Sequence, residues 1–246
     1  MNMIKAIAFD LQFTLVSLKD FSLQNWFKIF DEGFKDIIPF LYKKGFEFDE
    51  KKLYSTLRRK RNKYFAQTIT DDQRYYTEEI LNETFSKLNI NLTPSDFDRC
   101  IHIYHDKETR AWKPDKKLSI PLQDIIQNLS KKYKLAIITN AIQYVTDEIL
   151  RIQGIRDYFD LIIADARKPR LPSFQQFQEK MNANPNELVM VGDDIRADIE
   201  PAIFLGMNTI HLHRGYEYRH DDINQRISPS KKITRLDQIF EAILDL

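Results

Sequence analysis

The feature that most constrains this fold is a set of short apolar runs that alternate with amphipathic helical patterns. The apolar runs are Ile4–Phe9, Leu135–Ile138, Leu161–Ala164, Leu188–Val191 and Thr209–Leu212. Short runs that are apolar throughout are typical of strands buried on both faces of a parallel sheet. Helical patterns follow at Leu122–Lys132, Gln143–Ile152, Phe174–Met181 and Ile199–Leu205. Strands that alternate with helices predict an α/β fold with a parallel, Rossmann-like sheet.

The segment between the first two strands carries a different pattern, with amphipathic stretches and no convincing strand. The stretches are Leu23–Tyr42, Glu50–Gln67, Tyr75–Leu88 and Pro94–Lys107, and turn-forming residues such as Gly45 separate them. This pattern predicts an all-helical insertion after the first strand. At Trp112-Lys113-Pro114 the chain is expected to return to the α/β core. We therefore predict an α/β core of residues 1–16 and 112–246, with a helical domain of residues 17–111.

Composition excludes several classes of protein. The 246 residues include 37 basic and 36 acidic side chains, so no overall field attracts nucleic acid or an anionic membrane. No apolar stretch reaches the roughly 18 residues of a transmembrane helix, and the start of the chain lacks a signal-peptide pattern. Cys100 is the single cysteine, which excludes an internal disulfide. These features predict a cytoplasmic protein, and the oligomeric state stays open.

A local basic run, Arg58-Arg59-Lys60-Arg61-Asn62-Lys63, lies in the helical insertion. Such a run can contact phosphate groups of a substrate or of nucleic acid. On an amphipathic helix it more often forms a solvated face. The acidic residues elsewhere argue against a dedicated nucleic-acid surface.

Polar residues follow the predicted strands. They are Asp10 and Gln12, then Thr139 and Asn140, then Lys168, and finally Asp193, Asp194 and Asp198. In an open α/β sheet, ligands bind beyond the carboxyl ends of the strands. Two carboxylates favour Mg²⁺, and a cation, a lysine and a hydroxyl together can hold a phosphoryl group. A neighbouring carboxylate can attack phosphorus. The alternative is that Asp10 and Asp193 only end strands and cap helices.

These four segments, in this order, resemble the four motifs of the haloacid dehalogenase superfamily, and the helical insertion resembles its cap. The resemblance implies that Asp10 is the nucleophile and forms an aspartyl phosphate. It implies that Thr139 hydrogen-bonds the transferred group and that Lys168 balances negative charge. Mg²⁺ would be bound by Asp10, Asp193 and the backbone carbonyl of Gln12. The cap would close over the strand ends and select the substrate.

Two nearby residues have open roles. Asn140 either binds substrate or caps the next helix. Asp198 precedes a helix with Pro201 in its first turn, which favours an N-cap role. The role of Asp194 is open as well.

The sequence departs from the family pattern in two places. Phosphatases of the superfamily have a second aspartate two residues after the nucleophile, as general acid and base, where this chain has Gln12. General acid–base catalysis typically contributes about 10²–10⁴-fold in rate, and a glutamine amide cannot supply it. The segment between Asp160 and Lys168 is also shorter than in the family, which leaves the reach of Lys168 open.

The predicted function is a Mg²⁺-dependent phosphatase-type hydrolase for a small phosphorylated metabolite, slowed by Gln12. Two alternatives remain. A 2-haloacid dehalogenase also uses an aspartate nucleophile, but attacks carbon without a metal. The third hypothesis is a catalytically weak binding or regulatory protein that keeps the fold. Gln12 is its main support, and retention of the other site residues counts against it.

Overall fold

The computed structural model describes residues 3–19, 21–71, 77–215 and 227–246, with only the backbone described for residues 67–71. The chain divides into two compact units. One comprises Met1–Lys19 and Trp112–Leu246, and the other comprises Asp20–Ala111. We call them the α/β unit and the helical unit. That residues 17–111 act as a cap stays a prediction.

The α/β unit is built on a parallel sheet. The strands within the described residues are β1 (Ala6–Phe9), β2 (Ser17–Leu18), β3 (Trp112–Lys113), β4 (Lys134–Ile138), β5 (Leu161–Ile163), β6 (Leu188–Gly192), β7 (Asn208–Leu212) and β8 (Lys231–Ile233). Six of them form one sheet in the order β5-β4-β1-β6-β7-β8, and each neighbouring pair is parallel. The short strands β2 and β3 pair antiparallel. The predicted α/β fold with a parallel Rossmann-like sheet is confirmed.

Strand β1 is central, and its register fixes where the polar residues emerge. Phe9 lies opposite Ile137 of β4 and Val191 of β6. The residues that follow these three positions therefore leave the sheet at one edge. Because all of β1 is buried, the first place where this strand can present a polar side chain is Asp10, just after its end.

The helices of the α/β unit pack on the sheet through apolar faces. They are α5 (Leu122–Ser130), α6 (Gln143–Ile152), α7 (Pro172–Met181), α8 (Glu200–Phe204) and α9 (Ile239–Leu244), numbered after the four helices of the helical unit. Small residues such as Ala6 and Ala8 on β1 share a buried cluster with Phe174 and Phe177 of α7. The small strand residues leave room for the two aromatic rings. A π-helical turn at Ile195–Ile199 precedes α8.

The helical unit consists, in its described part, of α1 (Leu23–Lys43), α2 (Glu50–Asp71), α3 (Thr77–Lys87) and α4 (Pro94–Ala111). The Ser22 hydroxyl caps α1 by accepting a hydrogen bond from the Asn25 amide at 3.1 Å. Helices α1 and α4 approach closely at Gly33, where a side chain would collide with the backbone of Tyr104. The predicted start of the third helix, Tyr75, lies outside the described residues. Among the helices described, none combines the length and the apolar character needed to cross a bilayer.

Candidate active site

Asp10 and Asp193 lie side by side at the carboxyl edge of the sheet. The Asp10 amide donates to the carbonyl of Val191 at 2.9 Å, which continues the parallel ladder one residue beyond β1. The Thr14 hydroxyl oxygen is 3.2 Å from Oδ2 of Asp10 and 3.1 Å from Oδ1 of Asp193. All three side chains are buried. One hydroxyl carries one proton, so Thr14 can donate to only one of these two carboxylates at a time.

Lys168 reaches this edge from the loop after β5. Its Nζ is 2.7 Å from Oδ1 of Asp10, and it also forms an ion pair with Asp198. The lysine is only 3% exposed. Burial by itself lowers the pKa of Lys168, but the charges of Asp10 and Asp198 outweigh burial and raise the pKa above its ordinary value. The ammonium therefore stays charged at neutral pH.

Asn140 holds the backbone of Lys168. Its Oδ1 accepts from the Lys168 amide at 2.7 Å, and its Nδ2 donates to the Lys168 carbonyl at 3.4 Å. The segment before the lysine also runs along the β4 loop, since the Ala166 amide donates to the Thr139 carbonyl. Asp165 and Arg167 adopt left-handed backbone conformations, with φ of 48° and 54°, which fold this short segment back. Although this segment is short, it brings Lys168 into contact with Asp10.

Thr139 is buried directly after β4. Its amide donates to the carbonyl of Ile163 at 3.0 Å, and its hydroxyl accepts from the Ala141 amide at 3.2 Å. Because β4 pairs with β1 in register, Thr139 and Asp10 leave neighbouring strands at the same edge. The hydroxyl keeps its own proton for donation to a further acceptor.

Asp194, whose role the sequence leaves open, caps a helical turn, whereas Asp198 does not. Oδ1 of Asp194 accepts from the amides of Arg196 and Ala197, at 2.9 and 2.8 Å, so Asp194 is the cap of the π-helical turn. The N-cap interpretation of Asp198 is wrong. Its side chain points back to Lys168, and its Oδ2 accepts from the Asp194 amide at 3.2 Å.

The buried position of Asp198 explains why its pKa is raised and why position 192 is a glycine. Burial raises the pKa of Asp198 above its ordinary value, and the charge of Lys168 lowers it in part. A side chain at position 192 would collide with the Asp198 carboxylate. Gly192 is therefore required at the end of β6 by the close approach of Asp198.

The turn after Asp10 is held by a backbone bridge within it and by hydrogen bonds from Arg214. The sequence pattern did not identify Arg214 as part of the site. Gln12, half-buried, forms a bridge with Val16, and Phe13 has a φ of 66°. The Arg214 guanidinium donates to the carbonyls of Phe13, at 2.6 Å, and Thr14, at 2.5 Å. It also pairs with Asp115 at 2.8 Å. Arg214 thereby fixes the backbone of the turn that carries Gln12.

The residues of this edge suit a hard divalent cation. Carboxylate oxygens of Asp10, Asp193 and Asp198 all lie within 4.8 Å of one another. Three carboxylates and the ammonium of Lys168 leave two negative charges among these four buried side chains when all are ionised. Buried like charges at this spacing repel strongly unless a counter-charge neutralises them. Carboxylate oxygens are the ligands that hard divalent cations prefer.

Comparison with known proteins gives the family to which the chain belongs. The model of the haloacid dehalogenase-like hydrolase family matches residues 48–212, more than half of the chain. The protein therefore belongs to the haloacid dehalogenase-like hydrolases, and the predicted hydrolase superfamily is confirmed.

Three proteins that are distant in sequence match almost all of the chain. A glyceraldehyde 3-phosphate phosphatase of Methanopyrus kandleri is 24% identical, with 99% of each chain covered. A haloacid dehalogenase-superfamily phosphatase from Thermococcus onnurineus superposes with a TM-score of 0.61 at 19% identity, covering 97% of each chain. A 2-haloacid dehalogenase from Pseudomonas syringae gives 0.63 at 18% identity, covering 98% of this chain and 99% of its own. The two structural matches show the fold alone.

Proposed function

We propose that this protein is a Mg²⁺-dependent phosphatase that hydrolyses a small phosphorylated metabolite through an aspartyl phosphate on Asp10. The observation that carries the proposal is a buried cluster of three carboxylates, two of which pair with Lys168, whose Nζ is 2.7 Å from Asp10. The phosphatase named for Methanopyrus kandleri supports the same chemistry. Mg²⁺ would be held by Asp10, Asp193 and the backbone carbonyl of Gln12, where it would neutralise phosphoryl oxygens.

The reaction assigns one task to each side chain. A carboxylate oxygen of Asp10 attacks phosphorus, and the bond from phosphorus to the leaving oxygen breaks. Lys168 and the Thr139 hydroxyl stabilise the transferred oxygens. Water then attacks the aspartyl phosphate and releases inorganic phosphate and free Asp10. The amide of Gln12 cannot donate or accept a proton near neutral pH. The leaving oxygen and the attacking water therefore exchange protons with solvent, and turnover is slow.

Asn140 contributes to this site by positioning Lys168. Its amide contacts both the N–H and the carbonyl of the Lys168 backbone, so the lysine is held before substrate binds. We propose that the helical unit is the cap that selects the substrate.

The excess of negative charge supports phosphatase chemistry over a dehalogenase. Attack on carbon with loss of halide needs no metal, so the two surplus negative charges around Asp10 would stay uncompensated. Phosphoryl transfer uses a divalent cation, which would offset those charges at the site. The charge balance around Asp10 therefore favours phosphoryl transfer.

The test is a panel of phosphorylated metabolites that includes glyceraldehyde 3-phosphate, assayed for phosphate release with Mg²⁺ and with chelator. We expect slow, Mg²⁺-dependent release that disappears in Asp10→Asn. A parallel assay measures halide release from 2-haloacids. Halide release that is independent of Mg²⁺, with no phosphate release, would overturn the proposal. Binding of phosphorylated compounds without turnover would favour a regulatory protein.

A further inference from the structure

A pocket of about 610 Å³ lies within the helical unit, between α1 and α2. We call it the α1–α2 pocket. The residues that matter are Phe27, Lys28 and Asp31 on α1 with Arg58, Arg61 and Phe65 on α2. Its volume falls in the range of small-molecule sites, roughly 300–1,000 Å³.

The charges around the pocket do not balance. Arg58 lies 3.2 Å from Asp31, and Arg61 pairs with the same carboxylate. One carboxylate is thus shared by two guanidinium groups. With the exposed Lys28, three positive charges face one negative charge, which leaves two positive charges at the pocket.

Arg61 is a fixed part of the wall. It is only 1% exposed, and its guanidinium lies 4.7 Å from the ring centre of Phe27. It also donates to the backbone carbonyl of Phe27 at 3.2 Å. Asp31 is therefore held from the buried side by Arg61. The side chain of Arg58 is 48% exposed, so it and Lys28 remain accessible to a ligand.

Aromatic rings supply the apolar part of the wall. The rings of Phe27 and Phe65 are 4.8 Å apart and perpendicular. Positive side chains beside aromatic rings suit a ligand with one anionic group and one flat apolar group.

We propose that the α1–α2 pocket binds a small organic anion, a phosphate or carboxylate attached to an aromatic or other apolar ring. Arg58 and Lys28 bind the anionic group, and the ring packs against Phe27 and Phe65. The residues of the basic run at positions 58–63 therefore have different surroundings. Arg58 and Arg61 line the pocket, whereas Lys60 pairs with Glu83. This inference does not depend on the proposed phosphatase function.

The two tryptophans allow a test that assigns binding to one unit. Trp26 in the helical unit lies 6.2 Å from Phe65, and Trp112 in the α/β unit lies 5.0 Å from Phe13 in the turn after Asp10. Phenylphosphonate, which resists hydrolysis, is titrated without Mg²⁺ while the two indole N–H signals are followed by ¹⁵N NMR. We expect the Trp26 signal to shift and saturate. Inorganic phosphate, which lacks the ring, should bind more weakly.

Matched double variants decide the outcome. Lys28→Gln with Arg58→Gln removes two positive charges from the pocket and should weaken the Trp26 response about tenfold or more. Arg59→Gln with Lys63→Gln removes the same charge from exposed positions of α2 that do not line the pocket, and should change the Trp26 response little. An unmoved Trp26 signal, a shift confined to Trp112, or an equal loss in both double variants would overturn the proposal.

Discussion

The carboxyl edge of the sheet and the α1–α2 pocket both bury charged side chains, but with opposite balance. At the sheet edge, three carboxylates lie within 4.8 Å of one another, and one ammonium pairs with two of them. In the helical unit, two guanidinium groups share the carboxylate of Asp31. The comparison teaches that the sign of the unbalanced charge, rather than the number of ion pairs, indicates the ligand. A surplus of carboxylates favours binding of a cation, and a surplus of guanidinium groups favours binding of an anion.

The largest expected effect comes from adding a further carboxylate to the sheet edge. Gln12→Asp supplies the missing general acid and base, so hydrolysis of an aryl phosphate should rise by about 10²–10⁴-fold. Because a new carboxylate beside Asp10 and Asp193 is repelled without a cation, the gain should require Mg²⁺. Steady-state phosphate release in Mg²⁺ and in chelator measures it.

The control for this variant is Gln12→Asn, which has the size of aspartate without its charge. It should show no gain. If Gln12→Asp folds, binds Mg²⁺ and gains nothing, the phosphatase proposal fails while the fold stands.

Removal of the Lys168 ammonium tests the charge balance at the sheet edge. Lys168→Met leaves the buried carboxylates of Asp10 and Asp198 without their ion-pair partner. Without Mg²⁺, this variant should lose about 3–5 kcal/mol in the free energy of unfolding. Urea titrations at neutral pH measure the loss, and added Mg²⁺ should reduce it. A loss that Mg²⁺ does not change would show that the cation binds elsewhere.

The corresponding change in the helical unit should cost less. Arg61→Met removes one of two guanidinium groups that pair with Asp31, and Arg58 remains. We expect a loss of about 1–3 kcal/mol by the same urea titration. A loss equal to that of Lys168→Met would contradict the expected difference between the two sites, since Asp31 would then depend on Arg61 alone.

The smallest effect is expected at an exposed ion pair of the same length. Arg151 and Glu148 are 2.7 Å apart, the distance between Lys168 and Asp10, but the arginine side chain is 67% exposed. Arg151→Gln should leave the urea titration close to that of the unchanged protein. A loss as large as that of Lys168→Met would mean that distance, and not burial, sets the contribution of these pairs.

Much of this architecture could be predicted from local sequence patterns. Apolar runs gave the strands, and the residues that end them marked the edge where Asp10 meets Lys168. The short strand β8 was missed because Lys231-Lys232-Ile233 has no apolar run. The bounds of helices shifted by a few residues, as expected where the pattern fades at helix ends.

The contacts that complete the site could not be predicted because they join distant parts of the chain. Arg214 binds backbone carbonyls about two hundred positions away, and such contacts leave no pattern of residue types. Asn140 likewise contacts the backbone of Lys168, 28 positions along the chain. At Asp198, the nearby Pro201 favoured a local cap, but the buried ion pair with Lys168 prevailed.

The most direct test of the central claim is where a phosphoryl mimic attaches. Beryllium fluoride with Mg²⁺ should form a stable adduct on Asp10, seen as bound fluorine signals by ¹⁹F NMR. Those signals should vanish in chelator and in Asp10→Asn, while the variant keeps its fold. Bound fluorine signals that persist in Asp10→Asn, or that form equally well without Mg²⁺, would contradict the account of Asp10 as a metal-assisted nucleophile.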